Sequence, residues 1–154
     1  VVCSKNDKRR IKASDFFKGI MNTAIEPNEL LVEIIVPKLP PGTGSAFIEI
    51  ARRHGDYALA GVAAQMTLSG ERVTQLSLTA CGVGPAPIRL SNAEKQIFEG
   101  GLTKNSIQSA ARAAAIEIDP ETDLHATSDY RRRLTAVLVH QALSKAKERA
   151  QGNN

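Results

Sequence analysis

Apolar and polar positions change their rhythm along the chain, from short strand-like runs in the first half to helical spacing in the second. Val1–Cys3 and Arg9–Lys12 read as two short strands joined by a polar turn through Asn6 and Asp7. Ser14 offers an N-cap for a short helix over Asp15–Lys18, which Gly19 ends. Phe16 and Phe17 are adjacent, so only one of them can face squarely inward. Thr23–Asn28 is a loop containing Pro27. In Leu30–Val36 the residues Val32, Ile34 and Val36 fall on one face and Leu31 and Ile35 on the other, the pattern of a strand buried on both sides.

Pro37–Gly44 then places three prolines and two glycines in eight residues, which neither a strand nor a helix can continue. The domain border is expected here, with residues 1–40 the end of one domain and its linker, 41–150 a complete smaller one, and 151–154 a tail. The smaller domain opens with strands Ser45–Ala51, Leu59–Leu68 and Val73–Cys81. Ser69-Gly70-Glu71-Arg72 supplies a hairpin turn, and Gly82–Pro87 closes the strand run. Ser91 or Asn92 caps a helix to Glu99, stopped by Gly100 and Gly101. Thr103 caps a second, with Ile107, Ala110, Ala111, Ala114 and Ile118 on one face and alanines suited to close approach to the sheet. Thr127 or Ser128 caps the last helix, which runs to about Arg149 with an inward stripe of Tyr130, Leu134, Val137, Leu138, Gln141 and Ala142. Strands followed by helices predict an α+β fold: a small antiparallel sheet of three to four strands with three C-terminal helices on one face.

Composition narrows the function classes. At 154 residues the chain can bury a core, on the order of two-thirds of its unfolded surface. No apolar run approaches the roughly 20 residues that span a bilayer, and no apolar signal-peptide segment is visible; a cytoplasmic setting is expected. Val1-Val2-Cys3 looks like the inside of a strand, so the sequence reads as starting partway through a longer protein. Two cysteines, Cys3 and Cys81, are too few for an iron–sulfur cluster and lack zinc spacing; both are expected reduced and buried. The net charge of +4 gathers in clusters, Lys8–Lys12, Arg52-Arg53 and Arg131–Arg133. Four phenylalanines and two tyrosines make a poor base-stacking platform, so a face for an acidic partner protein fits better than nucleic acid.

Candidate chemistry concentrates in Arg52-Arg53-His54-Gly55-Asp56-Tyr57, between two strands. Read alone, it is either a binding loop held by rigid strands or a solvated turn with a local Arg–Asp pair. His54, His125 and His140 lack metal-ligand spacing, and His140 reads as an ordinary, partly exposed side chain. There is no GxGxxG fingerprint and no GxxxxGK[ST] phosphate loop, and Gly82-Val83-Gly84-Pro85 leads into prolines rather than a helix N-terminus. Asp123 and Arg131 are spaced to pair and pin a loop to the start of the last helix, whereas Arg132 and Arg133 are expected to face water or a partner subunit.

Several stretches carry a family resemblance. Ala51–Ala64 (ARRHGDYALAGVAA) and Ala80–Leu90 (ACGVGPAPIRL) are preceded by Asp15–Gly19 and Thr23–Leu31 and followed by Asp123–Arg132. In that order they resemble the flavoprotein (medium) subunit of the carbon monoxide dehydrogenase and xanthine dehydrogenase family of molybdenum hydroxylases. The resemblance implies that residues 1–40 are the last part of an α/β FAD-binding domain and 41–150 the family's C-terminal domain. It implies FAD as cofactor, with the pyrophosphate-binding loops upstream of Val1, and the isoalloxazine rim touched by Leu31 and by the loop carrying Arg52, Arg53, Asp56 and Tyr57. No residue of this chain is implied to be catalytic.

Partners implied are a molybdopterin-binding large subunit, a small subunit with iron–sulfur (2Fe-2S) clusters, and a soluble or membrane electron acceptor. Electrons would pass from the clusters through FAD to that acceptor, and this chain alone would be inactive. The sequence departs from animal xanthine dehydrogenases, which carry a cofactor-contacting lysine at the position of Ile48 and a more acidic loop at His54-Gly55-Asp56; the bacterial carbon monoxide dehydrogenase type matches better. The competing reading is a non-catalytic protein-interaction module that keeps only the C-terminal domain.

Overall fold

Backbone pairing in the computed structural model, which describes residues 1–152, gathers in two units, Val1–Leu39 and a second starting at Pro40. In the first, β1 (Val2–Cys3) pairs antiparallel with β2 (Lys8–Arg9) on one side and, across the sheet, with β5 (Leu30–Leu31). The turn between β1 and β2 closes on Ser4, whose hydroxyl accepts the Asp7 N–H at 3.1 Å. A single helical turn, α1 (Ala13–Phe16), leads into a hairpin of β3 (Phe17–Gly19) and β4 (Asn22–Thr23).

Two expectations for this unit are corrected. The helix expected over Asp15–Lys18 sits two residues earlier, because Phe17 is already paired with Thr23 and its backbone is extended. Ser14 therefore lies inside the turn rather than at its cap. The strand expected over Leu30–Val36 is paired only at Leu30–Leu31, continued by the Val32 N–H on the Val1 carbonyl at 3.0 Å. Val32, Ile34 and Val36 are exposed rather than buried, since β1 offers just two residues to pair with.

The second unit is an antiparallel meander in the order β6 (Thr43–Ala51), β7 (Ala58–Ser69), β8 (Arg72–Cys81), β9 (Ile88–Arg89). Register rows show how one face became core: Ala46 sits beside Ala64 and Leu78, and Ile48 beside Val62, Ala80 and Ile88. The alternate rows, such as Phe47–Ala63–Thr79, point the other way, and Phe47 is exposed. The fourth strand follows from the turn after Gly82, which returns the chain to β8 for two residues.

Three helices cover the apolar face: α2 (Ser91–Gly100), α3 (Lys104–Glu117) and α4 (Ser128–Ala150). α4 lies along β6 and β7 and α2 along β8, while α3 packs on α2 and α4, so its alanines approach helices rather than strands. Gly44 marks the closest approach. A Cβ there would land on the Ala146 carbonyl and the Ala150 amide of α4. Thr103 caps α3 in a capping box with Ser106, and Thr127 caps α4 through the Tyr130 N–H at 3.2 Å. Neither Ser91 nor Asn92 caps α2. Leu90 holds that position, and the Glu117 carboxylate of α3 accepts the Asn92 N–H at 3.0 Å instead.

The buried stripe of α4 is Arg131, Leu134, Thr135, Leu138, Val139, Ala142, Leu143 and Ala146. It is rotated from the expected one, leaving Tyr130, Val137 and Gln141 outside. Arg132 also departs from expectation: it donates to the Ala115 carbonyl at 3.0 Å, to the Ile118 carbonyl and to Asp119, tying α4 to the end of α3. Arg133 and His140 are exposed. The two cysteines are free and half-buried. Burial raises the Cys81 thiol above its ordinary range, with nearby Glu49 adding to the shift. No helix among the described residues is long and apolar enough to cross a membrane.

Candidate functional site

At one end of the second unit, three connections meet around the guanidinium of Arg131. It is buried one turn into α4, where an apolar side chain would be the default. Its Nη1 donates to the carbonyls of Leu59, at 2.5 Å, and Gly82, at 3.0 Å, and its Nη2 to Asp123 Oδ2 at 2.7 Å. The Nε is buried without a partner, so these bonds are the whole compensation for a desolvated charge. The start of β7, the end of β8 and the α3–α4 loop are thereby fixed to one another. The pair expected between Asp123 and Arg131 is formed.

Asp123 is a loop organiser as well as an ion-pair partner. Its Oδ1 accepts the N–H groups of His125 at 2.8 Å and Ala126 at 2.9 Å. The Ala126 and His125 N–H groups, and then the Arg131 guanidinium, hold its carboxyl down at about 2. The sequence signals the pair but not the reach of Arg131 to β7 and β8, which only the folded sheet brings within range.

The candidate loop joins β6 to β7 above this network. Arg52, Arg53, His54, Gly55, Asp56 and Tyr57 are all exposed, Tyr57 completely. Gly55 has φ +91°, a left-handed conformation that a side chain would strain, so glycine sets the shape of the turn. Asp56 donates its backbone N–H to the Arg53 carbonyl at 3.2 Å. Its carboxylate pairs with neither arginine among the described residues, so the turn is not held by a local Arg–Asp pair. Arg52 instead donates from Nη1 to Nδ1 of His125 at 2.7 Å, across 73 residues of sequence. Arg53 lines a shallow hollow with Glu49, Ala51, His54 and Gly55. His125 is the residue that sequence reasoning missed. It stands inside a motif already singled out, but nothing local points it at Arg52.

Leu31 lies in the first unit, on β5, roughly half-exposed. It lines an apolar pocket of about 230 Å³ with Val2, Phe16, Phe17 and Ile35 among others. Ile48, the position of the animal lysine, is half-buried on the core face of β6.

FAD can be tested against these residues group by group. A pyrophosphate needs free backbone N–H donors, usually at a helix N-terminus. Here the N-termini of all three long helices are filled by the chain's own oxygens, from Glu117, Thr103 and Thr127. The second unit therefore does not fit the pyrophosphate. Its β6–β7 loop does fit the edge of a planar anion, because it presents two guanidinium groups that form no ion pair among the described residues. Among the described residues no cluster of three His, Cys, Asp or Glu side chains is placed to hold a metal.

Comparison with known proteins identifies the family. Residues 45–146 match the family described as the CO dehydrogenase flavoprotein C-terminal domain. The chain is 36% identical, over 96% of its own length and 50% of the relative's, to the 6-hydroxypseudooxynicotine dehydrogenase complex subunit alpha of Paenarthrobacter nicotinovorans. It is 35% identical, over 92% of its length and 49% of the relative's, to the carbon monoxide dehydrogenase medium chain of Hydrogenophaga pseudoflava. A solved carbon monoxide dehydrogenase from the latter organism superposes with a TM-score of 0.92 at 35% identity, covering 96% of this chain and 52% of that one. Quinoline 2-oxidoreductase from Pseudomonas putida 86 gives 0.86 at 29%, covering 99% and 52%. The chain thus spans about half the length of the curated relatives it matches. It belongs to the flavoprotein (medium) subunits of the carbon monoxide dehydrogenase and xanthine dehydrogenase-like molybdenum hydroxylases, with residues 45–146 forming that family's C-terminal domain.

Proposed function

We propose that this chain is part of the FAD-carrying subunit of a molybdenum hydroxylase, and that its β6–β7 loop sets the electrostatics at the flavin rim. Residues 1–40 are the last part of the flavin-binding domain, where Leu31 offers an apolar contact to the cofactor; residues 41–150 are the C-terminal domain. Partners are a molybdopterin-binding large subunit and an iron–sulfur small subunit, in keeping with relatives named as a medium chain and as a subunit of a complex. When bound, FAD supplies the redox chemistry, accepting electrons from the clusters and releasing them to an acceptor.

This chain's residues supply position and charge. The observation that carries the reading is the unneutralised pair Arg52 and Arg53 on a loop shaped by Gly55 and anchored through Arg131. A guanidinium near a partly desolvated anion favours the anionic form, so Arg52 and Arg53 stabilise reduced flavin while Asp56 opposes them. Tyr57, fully exposed, provides a planar face beside them.

The test is Arg53→Ala and Asp56→Ala in the complete complex, with flavin content, midpoint potential and reoxidation rate measured. Flavin content should hold. The potential should fall in Arg53→Ala and rise in Asp56→Ala. If folding and content are normal and neither potential nor reoxidation rate moves, the loop is scaffolding and the reading is wrong.

A further inference from the structure

We infer that His125 is the positioning residue for the Arg52 charge, making the α3–α4 loop the second wall of the site on the β6–β7 loop. Arg52 has one acceptor among the described residues, Nδ1 of His125 at 2.7 Å. An arginine can only donate, so Nδ1 must be the unprotonated nitrogen and the ring is the neutral Nε2–H tautomer. The choice of acceptor matters. A carboxylate would hold the guanidinium equally well but cancel its charge. A neutral imidazole holds it in place and leaves the full positive charge available to an outside anion.

His125 is itself fixed from the core outwards. The carbonyls of Leu59 and Gly82 hold Arg131, Arg131 holds Asp123, and Asp123 accepts the backbone N–H of His125 at 2.8 Å. His125 passes that rigidity to a side chain that would otherwise sample many rotamers, since a free arginine has several rotatable bonds to fix. Leu124, next to His125 in sequence, and Tyr57, on the β6–β7 loop, are wholly exposed apolar groups on the same two loops. A cation of fixed position, on loops that also expose apolar and aromatic side chains, fits a planar, partly apolar anion. On the reading above, on which this part of the inference rests, that anion is reduced flavin.

The experiment uses the complete complex with His125→Leu, His125→Asn, Arg52→Leu and the double variant Arg52→Leu/His125→Leu. Hydrogen exchange of segment 52–57 and the flavin midpoint potential are both read. Asn places its Oδ1 near the position of Nδ1, so His125→Asn should behave as wild type in both. His125→Leu should raise exchange about fivefold, the factor for one lost hydrogen bond worth roughly 1 kcal/mol. It should also shift the potential in the same direction as Arg52→Leu, and the double variant should shift it no further than Arg52→Leu alone.

If Arg52→Leu moves the potential and His125→Leu moves neither the potential nor exchange, His125 does not position Arg52 and the inference is overturned, while the flavin reading survives. If His125→Leu raises exchange and neither Leu variant moves the potential, positioning is upheld and the flavin assignment falls. Unchanged exchange and potential in every variant overturn both.

Discussion

An arginine–carboxylate bridge ties down the loops of each unit, Arg9–Glu29 in the first and Arg131–Asp123 in the second, and these two are built the opposite way round. In the first unit Arg9 grips Glu29 through two bonds, of 2.6 and 2.7 Å, with the acid side chain 9% exposed and the arginine 41%. In the second, Arg131 is 8% exposed and its partner Asp123 47%. Behind Arg131 stands a continuous core of strand and helix side chains; behind Arg9 only Val2 is buried among the described hydrophobic residues of that unit. The same bond type therefore has two consequences. Arg9 ties a surface turn together, reaching also to the Ala24 carbonyl at 2.8 Å. Arg131 closes the end of a core, and its removal would leave the Leu59 carbonyl of β7 and the Gly82 carbonyl just past β8 without this donor.

The sharpest way to break this contrast is Arg131→Met against Arg9→Met. Arg131→Met should cost about 3 kcal/mol, as expected when one partner of a buried pair is lost, and lower Tm by roughly 12 °C. Arg9→Met should leave Tm nearly unchanged, and equal losses on calorimetry would overturn the comparison. Gly44→Ala comes next. The added methyl has no room between β6 and α4, and parting them should cost about 2 kcal/mol by urea unfolding.

The smallest effect is on acid stability. Asp123 and Glu29 are both held at about 2, Glu29 first by the Arg9 hydrogen bond and then by the Glu26 N–H. A depressed folded value means stability that is present above the unfolded carboxyl range near 4 and is lost as pH falls toward about 2. Both units should therefore loosen over the same window. Asp123→Asn should flatten the slope of the main melting transition there, and Glu29→Gln should not. Circular dichroism melts from pH 2 to 6 would show it, and an unchanged slope in Asp123→Asn would count against the role given to that loop.

Much of the second unit was legible because its signals are local. Gly70 marks the hairpin, and Thr103 and Thr127 cap helices with their own hydroxyls; spacing alone places Ile107, Ala110 and Ala114 inward. What was hidden depends on distant partners. Glu117 completes the start of α2 from another helix, so Ser91 and Asn92 were misleading. The stripe of α4 was misjudged because Arg131 and Thr135 turn inward: carbonyls of β7 and β8 satisfy the first, and the Arg131 carbonyl accepts the Thr135 hydroxyl at 2.8 Å. In the first unit Val32, Ile34 and Val36 carry a true strand pattern, but pairing needs a neighbour as well as a pattern. At the site, Arg52–Tyr57 stood out as charges between strands, whereas its link to His125 crosses most of the domain and left no trace in either segment.

The long reach of α4 also governs the order in which this domain can form during synthesis. β6, β7 and β8 are joined by short connections and can pair soon after they leave the ribosome, yet the helix that covers β6 and β7 comes last. About 70 residues separate the end of β8 from the end of α4, roughly 4–14 s of translation at 5–20 residues per second. For that interval the row Ala46–Ala64–Leu78 has no lid from α4, and β6 is an open edge that α4 does not yet flank. Arg149, which finally takes the Ser45 carbonyl at 2.6 Å, joins residues 104 apart in sequence. A nascent chain stalled before Ser128 presents an apolar sheet to its surroundings, so chaperone demand for this domain is set by how quickly its last helix arrives.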